Sequence, residues 1–197
     1  MTISEQRSGD WSPGLSEAEK AMVFAIAMDS LAWCTAGESG PFGFDRYVLT
    51  PLLKAKFATF VTLKAHGELR GCIGSLVPEE ALYQSVHNNA VNAALRDPRF
   101  SPLRDEERTN LSVSVSILGP IRDVADASAF RPGQHGIILR KGPARAVFLP
   151  EVAVEQGWTR EETLSYLSRK AGLAEDAWRR GARFQVFESV VLSRTGR

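Results

Sequence analysis

Residues 57–74 read Phe-Ala-Thr-Phe-Val-Thr-Leu-Lys-Ala-His-Gly-Glu-Leu-Arg-Gly-Cys-Ile-Gly, and this stretch decides the fold class. Phe57 to Ala65 has the aromatic, β-branched and alternating character of a strand, since such side chains pack well on a pleated, half-buried surface. His66-Gly67 supplies a two-residue hairpin turn, and Glu68 to Ile73 returns as a second strand. Across that turn Ala65 is expected opposite Glu68, Leu63 opposite Arg70 and Val61 opposite Cys72. That register would put Arg70 and Cys72 on one face, about 7 Å apart.

Toward the N-terminus, residues 1–15 are rich in Ser, Gly and charge and close on Pro13-Gly14, which reads as a flexible tail. Ser16-Glu17-Ala18-Glu19 has capping-box spacing, and Ala21, Phe24, Ala25, Met28, Leu31 and Ala32 follow at helical period, ending near Gly37. Toward the C-terminus, Pro78-Glu79 should open a second helix with Leu82, Val86, Ala90 and Ala93 buried, stopping before Asp97-Pro98. Asn89 lies on the edge of that stripe, where an amide must find partners or cost stability.

Leu111 to Leu118 alternates apolar residues with serines, as a sheet strand does. Residues 121–134 read as a connector, and Gly136 to Arg140 and Ala144 to Leu149 as strands across Lys141-Gly142-Pro143. A capping box at Thr159-Arg160-Glu161-Glu162 starts a helix through Lys170, and Arg183 to Leu192 reads as one last strand. Strand pairs linked as hairpins and separated by single helices favour an α+β fold with a mixed sheet and flanking helices over a doubly wound parallel one.

The 24 basic and 23 acidic residues leave a net charge of +1, so no global field recruits nucleic acid or an anionic membrane, and neither is expected as a partner. The longest apolar run near the N-terminus, Val23 to Met28, is too short to span a bilayer. Two cysteines, Cys34 and Cys72, form no disulfide framework, and with three scattered histidines they lack metal-ligand spacing. A cytoplasmic protein with reduced thiols, no metal and no cofactor is the expectation.

The chemistry concentrates in Leu69-Arg70-Gly71-Cys72-Ile73-Gly74. A thiol is nucleophilic only as thiolate, and a guanidinium such as Arg70 favours that form. Gly71 and Gly74, with Ser75, would give either positive φ angles or close approach of a ligand to the main chain, as in an anion-binding nest. The plainer alternative makes Cys72 a small buried residue and the glycines turn residues. Dinucleotide, phosphate-loop, metalloprotease and nucleophile-elbow patterns are absent from the sequence. Of the histidines, His66 falls in a turn, His87 on the solvated side of its helix, and His135, before a strand, is the best placed as a general base. Asp97, Arg99 and Phe100 are explained by a helix stop with an Asp–Arg pair.

Taken together, Phe60–Lys64, the hexapeptide, Asn89-Ala90, Asp97-Pro98-Arg99-Phe100-Ser101-Pro102-Leu103, Ser112–Val115, Phe148-Leu149-Pro150-Glu151-Val152, Gln156-Gly157-Trp158 and Asp176-Ala177-Trp178 resemble the AMMECR family, also called AmmeMemoRadiSam system protein A. The resemblance runs in order over roughly residues 20–192. It implies an α+β fold in one two-lobed domain over residues 16–197, with a larger lobe built from both chain ends around a mixed, mainly antiparallel sheet and a smaller lobe from the middle, association with Memo-type and radical S-adenosylmethionine proteins, and no established reaction. Many prokaryotic members of the family carry cysteine where this chain has Ser168, so a two-thiol mechanism is not expected here.

Two functions compete. The first is an enzyme or enzyme component that binds a small anionic or nucleobase-like ligand beside the hexapeptide. Cys72 would be its reactive thiol, His135 its acid or base, and Arg70, Gly71, Gly74, Ser75 and Asn89 its ligand-binding residues. The second is a non-catalytic adaptor in which the hexapeptide is structural.

Overall fold

The computed structural model describes residues 3–37 and 40–194. Two antiparallel sheets and several helices make the fold α+β. The chain divides into two compact units, one of Met1–Gln6, Pro13–Leu118 and Val191–Arg197, the other of Arg7–Ser12 and Gly119–Val190.

The first unit is built around the hairpin of β2 (Thr59–Ala65) and β3 (Glu68–Gly74). His66 (φ 53°) and Gly67 (φ 84°) both take the left-handed region, the twist that a two-residue turn needs to match its strands. β1 (Ile3–Arg7), β4 (Leu111–Leu118) and β9 (Ser189–Arg194) complete a sheet of order β1-β9-β4-β2-β3. Val113, Val115 and Ile117 of β4 are buried, as the alternation requires. Residues 3–7, expected to be part of a loose tail, are instead an edge strand. Their pattern has no apolar alternation, and side-chain contacts of Ser4 with Ser193 and Glu5 with Lys20 hold them.

α1 (Glu17–Thr35) begins at the expected capping box, with Ser16 and Glu19 satisfying each other's backbone N–H groups. Its buried face differs from the expected one: Lys20, Val23, Phe24, Ala27, Ser30 and Leu31 are inside, while Ala21 is exposed and Ala25, Met28 and Ala32 are half-buried. Apolar residues surround most of this helix, so periodicity alone cannot phase it. The polar members of the buried face are satisfied there, Lys20 by Glu5 and Glu17, and Ser30 by the carbonyl of Ile26.

α2 (Leu82–Leu95) packs on β2, β3 and α1, burying Leu82, Val86, Ala90 and Ala93 as expected, each large aliphatic contributing about 2 kcal/mol. It starts at Leu82 instead of Pro78. No side chain caps it; the N–H groups of Leu82 and Tyr83 donate to the carbonyls of Ala55 and Leu53, partners distant in sequence.

The second unit has β5 (Arg122–Val124), β6 (Gly136–Lys141), β7 (Ala144–Phe148) and β8 (Arg183–Phe187) in the order β5-β8-β6-β7. α3 (Pro150–Glu155) and α4 (Arg160–Lys170) follow β7, and α4 starts at the expected Thr159 cap. Phe130, Ile137, Leu139, Leu164, Leu167, Phe184 and Val186 form this unit's core. The last strand is in fact two. The run breaks at Glu188, so that β8 serves one sheet and β9 the other; Glu188 accepts the N–H of Trp11 on its carboxylate and that of Gly119 on its carbonyl.

Among the described residues, no helix is long and apolar enough to cross a membrane.

Candidate functional site

The expected hairpin register holds only at its turn end. Ala65 faces Glu68 and Lys64 faces Leu69, but Leu63 then faces Gly71 and Thr62 faces Cys72. Arg70 is therefore the extra residue of a β-bulge, and every later pair is shifted by one from the expected register. Strict alternation, on which a shared face for Arg70 and Cys72 depended, does not run through a bulge.

The bulge has identifiable causes on both sides. A Cβ on Gly71 would collide with the carbonyl oxygen of Ala93, so α2 lies directly against the strand backbone there. Arg70 reaches Glu107 in a two-pronged ion pair (Nε to Oε1 2.9 Å, Nη2 to Oε2 3.2 Å) and donates to the carbonyl of Ser101 at 3.0 Å. Its charge is thus neutralised within the fold, and it holds the Glu107 carboxyl down to about 2.

Gly71 and Gly74 do not take positive φ angles. At Gly74 a Cβ would strike the ring of Phe60 and the carbonyl oxygen of Thr59. Ser75 donates its N–H to that same carbonyl and exchanges side-chain bonds with the backbone of Val77. The glycines accordingly serve close packing of strand and helix, and the N–H of Ser75 is not directed at an anion.

Cys72 is half-buried and in no disulfide, and its Sγ accepts from Thr62 Oγ1 at 3.3 Å. Its backbone is clamped: Asp97 Oδ2 accepts the Cys72 N–H at 2.9 Å, and Arg99 Nη2 donates to its carbonyl at 3.3 Å. Asp97 and Arg99 also pair with each other (2.6 Å), which holds the buried Asp97 carboxyl well below the usual carboxylate range. The Asp-Pro-Arg stretch thus does more than stop α2: it satisfies the outward-facing polar groups of an edge strand. Arg99 is held in its charged form chiefly by Asp97, with Cys72 the smallest of the influences on it.

Next to the end of β3 lies a cleft of about 550 Å³, bounded by Ser75 and Val77 on one side and by α2 on the other. Ser85, Asn88, Asn89, Asn92 and Arg96 line it from one face of α2, and Glu79 and Glu80 from the preceding turn. Cys72 and Arg70 do not line it.

The amide orientations here are dictated by partners with only one possible role. Asn88 Nδ2 donates to a carboxylate oxygen of Glu80 (2.9 Å), and Asn89 Nδ2 to the carbonyl (3.2 Å) and hydroxyl (2.9 Å) of Thr59. Asn92 Oδ1 accepts from Arg96 Nη1 at 3.3 Å. Among the described residues, Oδ1 of Asn88 and of Asn89 and Nδ2 of Asn92 have no partner. With the two carboxylates, the cleft carries a surplus of acceptors.

His87 lines the same cleft, together with Trp33. It is not the solvated helix residue expected. Its ring stacks on Phe42 (4.4 Å, 27°), meets Phe44 edge-on (5.4 Å) and lies 5.6 Å from Trp33, and burial keeps its pKa below the ordinary value. The aromatic residues come from α1 and from the loop that follows it, so their convergence on α2 had no local signal.

His135 belongs to the second unit. It is buried, with Nε2 3.2 Å from Arg122 Nη2 and Nδ1 accepting the N–H of Arg131 at 3.2 Å. Burial first, then the charge of Arg122, keeps its pKa low. The Arg131 N–H and the Arg122 guanidinium are both donors, so the neutral ring accepts from one of them at a time. Ser168 is buried and donates to the carbonyl of Leu164 within α4. Among the described residues no group of three or more His, Cys, Asp or Glu side chains converges as a metal site would.

An α+β protein with a glycine-containing edge strand laid against a helix, and a polar cleft at the end of that strand, is the class that fold and site define. Residues 25–192 match the AMMECR1 family model, and the chain belongs to that family. It is 36% identical over 160 residues to protein Mbar_A1807 of Methanosarcina barkeri, covering 79% of this chain and 78% of that protein. It is 34% identical over 186 residues to a protein of Methanosarcina acetivorans, covering 90% and 92%. The crystal structure of the uncharacterized protein PH0010 from Pyrococcus horikoshii is similar with a TM-score of 0.80 at 30% identity, covering 91% of this chain and 93% of that one.

Proposed function

We propose that this protein is an enzyme or enzyme component that binds a small, nucleobase-like ligand rich in N–H groups in the cleft between α2 and the end of β3. The single observation that carries the reading is the set of polar groups with no partner among the described residues, Oδ1 of Asn88, Oδ1 of Asn89 and Nδ2 of Asn92, in a cleft that Trp33 also lines. Such an array matches the alternating donor and acceptor edge of a heterocycle, and an indole supports its π-face. The acceptor surplus and the carboxylates of Glu79 and Glu80 weigh against an anionic ligand, as does the engagement of Arg70 by Glu107. In this reading the hexapeptide leads into the Ser75–Val77 segment that bounds the cleft, and Asp97 and Arg99 hold the strand before it.

The test is a titration with uracil, cytosine, adenine and guanine, followed through the side-chain amide signals of Asn88, Asn89 and Asn92 by NMR. At least one base should shift these signals saturably, and Asn92→Leu should weaken its binding about tenfold, the loss of one hydrogen bond in a partly desolvated site. Absence of saturable shifts with all four bases would overturn the reading.

A further inference from the structure

The sheet of the second unit carries a row of like charges. Arg140 of β6 lies opposite Arg145 of β7 on one side and opposite Arg183 of β8 on the other. Residues directly opposite in antiparallel strands share a face, so the three side chains stand abreast with their Cβ atoms about 5 Å apart. Ile137, Leu139, Ala146, Phe184 and Val186 fill the core from the other face, which leaves the arginines directed away from it, and all three are exposed.

Such a row works against the fold, because like charges directly opposite repel. Elsewhere the chain meets exposed arginines with carboxylates, Arg104 with Glu106 and Arg179 with Glu161. Arg140, Arg145 and Arg183 have no ion pair, side-chain hydrogen bond or ring contact among the described residues. Asp123, opposite Gln185 in the next row of the same face, forms no ion pair with them. Three positive charges therefore lie unneutralised within about 10 Å, the width of three neighbouring strands.

The chemistry of the row narrows what it can hold. A guanidinium forks onto a carboxylate or a phosphate through two parallel hydrogen bonds. Patches that hold anionic lipid gather about four to eight basic residues, more than this row supplies. Grooves for single-stranded nucleic acid interleave basic residues with rings on which the bases stack. By register the adjoining row here is Val147, Ile138, Gln185 and Asp123, which offers no ring and adds a carboxylate. All three cations are arginines, the basic residue enriched at protein interfaces, where lysine is depleted.

We propose that Arg140, Arg145 and Arg183 form a docking surface for a partner protein that presents a short extended run of aspartates or glutamates. In such a run every second carboxylate faces the sheet, about 7 Å from the next, so a segment of about six residues laid across the strands offers one to each arginine. The cleft beside α2 belongs to the first unit and shares no residue with this row, so the docking surface is independent of the ligand reading.

The test is a titration of the full chain with hexaglutamate at low ionic strength, followed through the arginine side-chain Nε–H signals by NMR. The signals of Arg140, Arg145 and Arg183 should shift saturably. Arg140→Gln should weaken binding about threefold, the usual worth of one exposed ion pair, and Arg140→Gln, Arg145→Gln and Arg183→Gln together about twentyfold. The triple variant should melt no lower than the parent, since it removes repulsion and no internal bond. A lower melting temperature would assign the row to the fold and overturn the proposal, as would hexaglutamate binding that is absent or is undiminished in the triple variant. Tighter binding at the same arginines by a thymidylate hexanucleotide or by phosphatidylserine vesicles would overturn the choice of a protein partner.

Discussion

The carboxylate of Asp97 accepts the backbone N–H of Cys72 at 2.9 Å, so the best-marked residue of the hexapeptide is held by its main chain. Arg99 completes the clamp on the carbonyl of the same residue. An edge strand with both its outward groups satisfied is rigid there, and the cleft at its end inherits that rigidity.

Asp97→Ala should therefore destabilise the protein by about 2 kcal/mol, the usual cost of losing charge-assisted hydrogen bonds and leaving a partly buried donor unmet. Asp97→Asn keeps one acceptor for the Cys72 N–H and should cost about half as much. Urea unfolding followed by circular dichroism measures both, and equal losses would mean that the bond to the Cys72 N–H contributes nothing and that the Arg99 pair carries the whole effect.

Acid should undo this region first. Hydrogen bonds from Arg70 hold Glu107 at about 2, down from an ordinary 4.5, and those from Arg99 hold Asp97 well below 3.8. A carboxylate with a depressed folded-state pKa adds stability that is complete above its unfolded value and fades as pH falls through the folded one. The melting temperature should accordingly be flat down to about pH 4.5 and fall between there and about pH 2. Glu107→Gln should be less stable than the parent at pH 7 and converge with it near pH 2; parallel curves would argue against this ion pair as the source.

Substitution at Gly71 tests the contact with α2. Gly71→Ala drives a methyl group into the carbonyl of Ala93 and should cost about 2 kcal/mol or more. Gly43→Ala, where nothing lies within 4 Å, should stay within about 0.5 kcal/mol of the parent. Chemical denaturation of the two variants side by side gives the comparison.

The two thiols should differ in reactivity. Both are half-buried, but desolvation pushes Cys34 up to about 11, whereas Cys72 lies on an edge strand and accepts from Thr62. Iodoacetamide at pH 8 should modify Cys72 in the native protein and leave Cys34 intact, with both reacting in urea, as peptide mapping by mass spectrometry will show. Rapid native labelling of Cys34 would contradict its raised pKa.

Much of the local structure was legible without coordinates. The His66-Gly67 turn, the capping boxes at Ser16 and Thr159 and the alternation of 111–118 are decided by residues no more than a few positions apart, and all three appear where the sequence puts them. The α+β class follows from their order along the chain. The family resemblance rests on short motifs, and it located the hexapeptide and Asn89 without saying which groups of these residues are in use.

The remaining features depend on partners far away in sequence. The bulge at Arg70 needs Ala93 on one side and Glu107 on the other; the start of α2 needs the carbonyls of Leu53 and Ala55. The phase of α1 was hidden by apolar residues around the whole helix, and the break at Glu188 by two strands that read as one. His87 was misread for the same reason: on its own helix it lies off the buried stripe, and its environment is supplied by Ser30, Trp33, Phe42 and Phe44. Periodicity reports which side of an element is apolar, and it cannot report what another element brings to the opposite side. In this protein that opposite side of α2 is where the cleft lies.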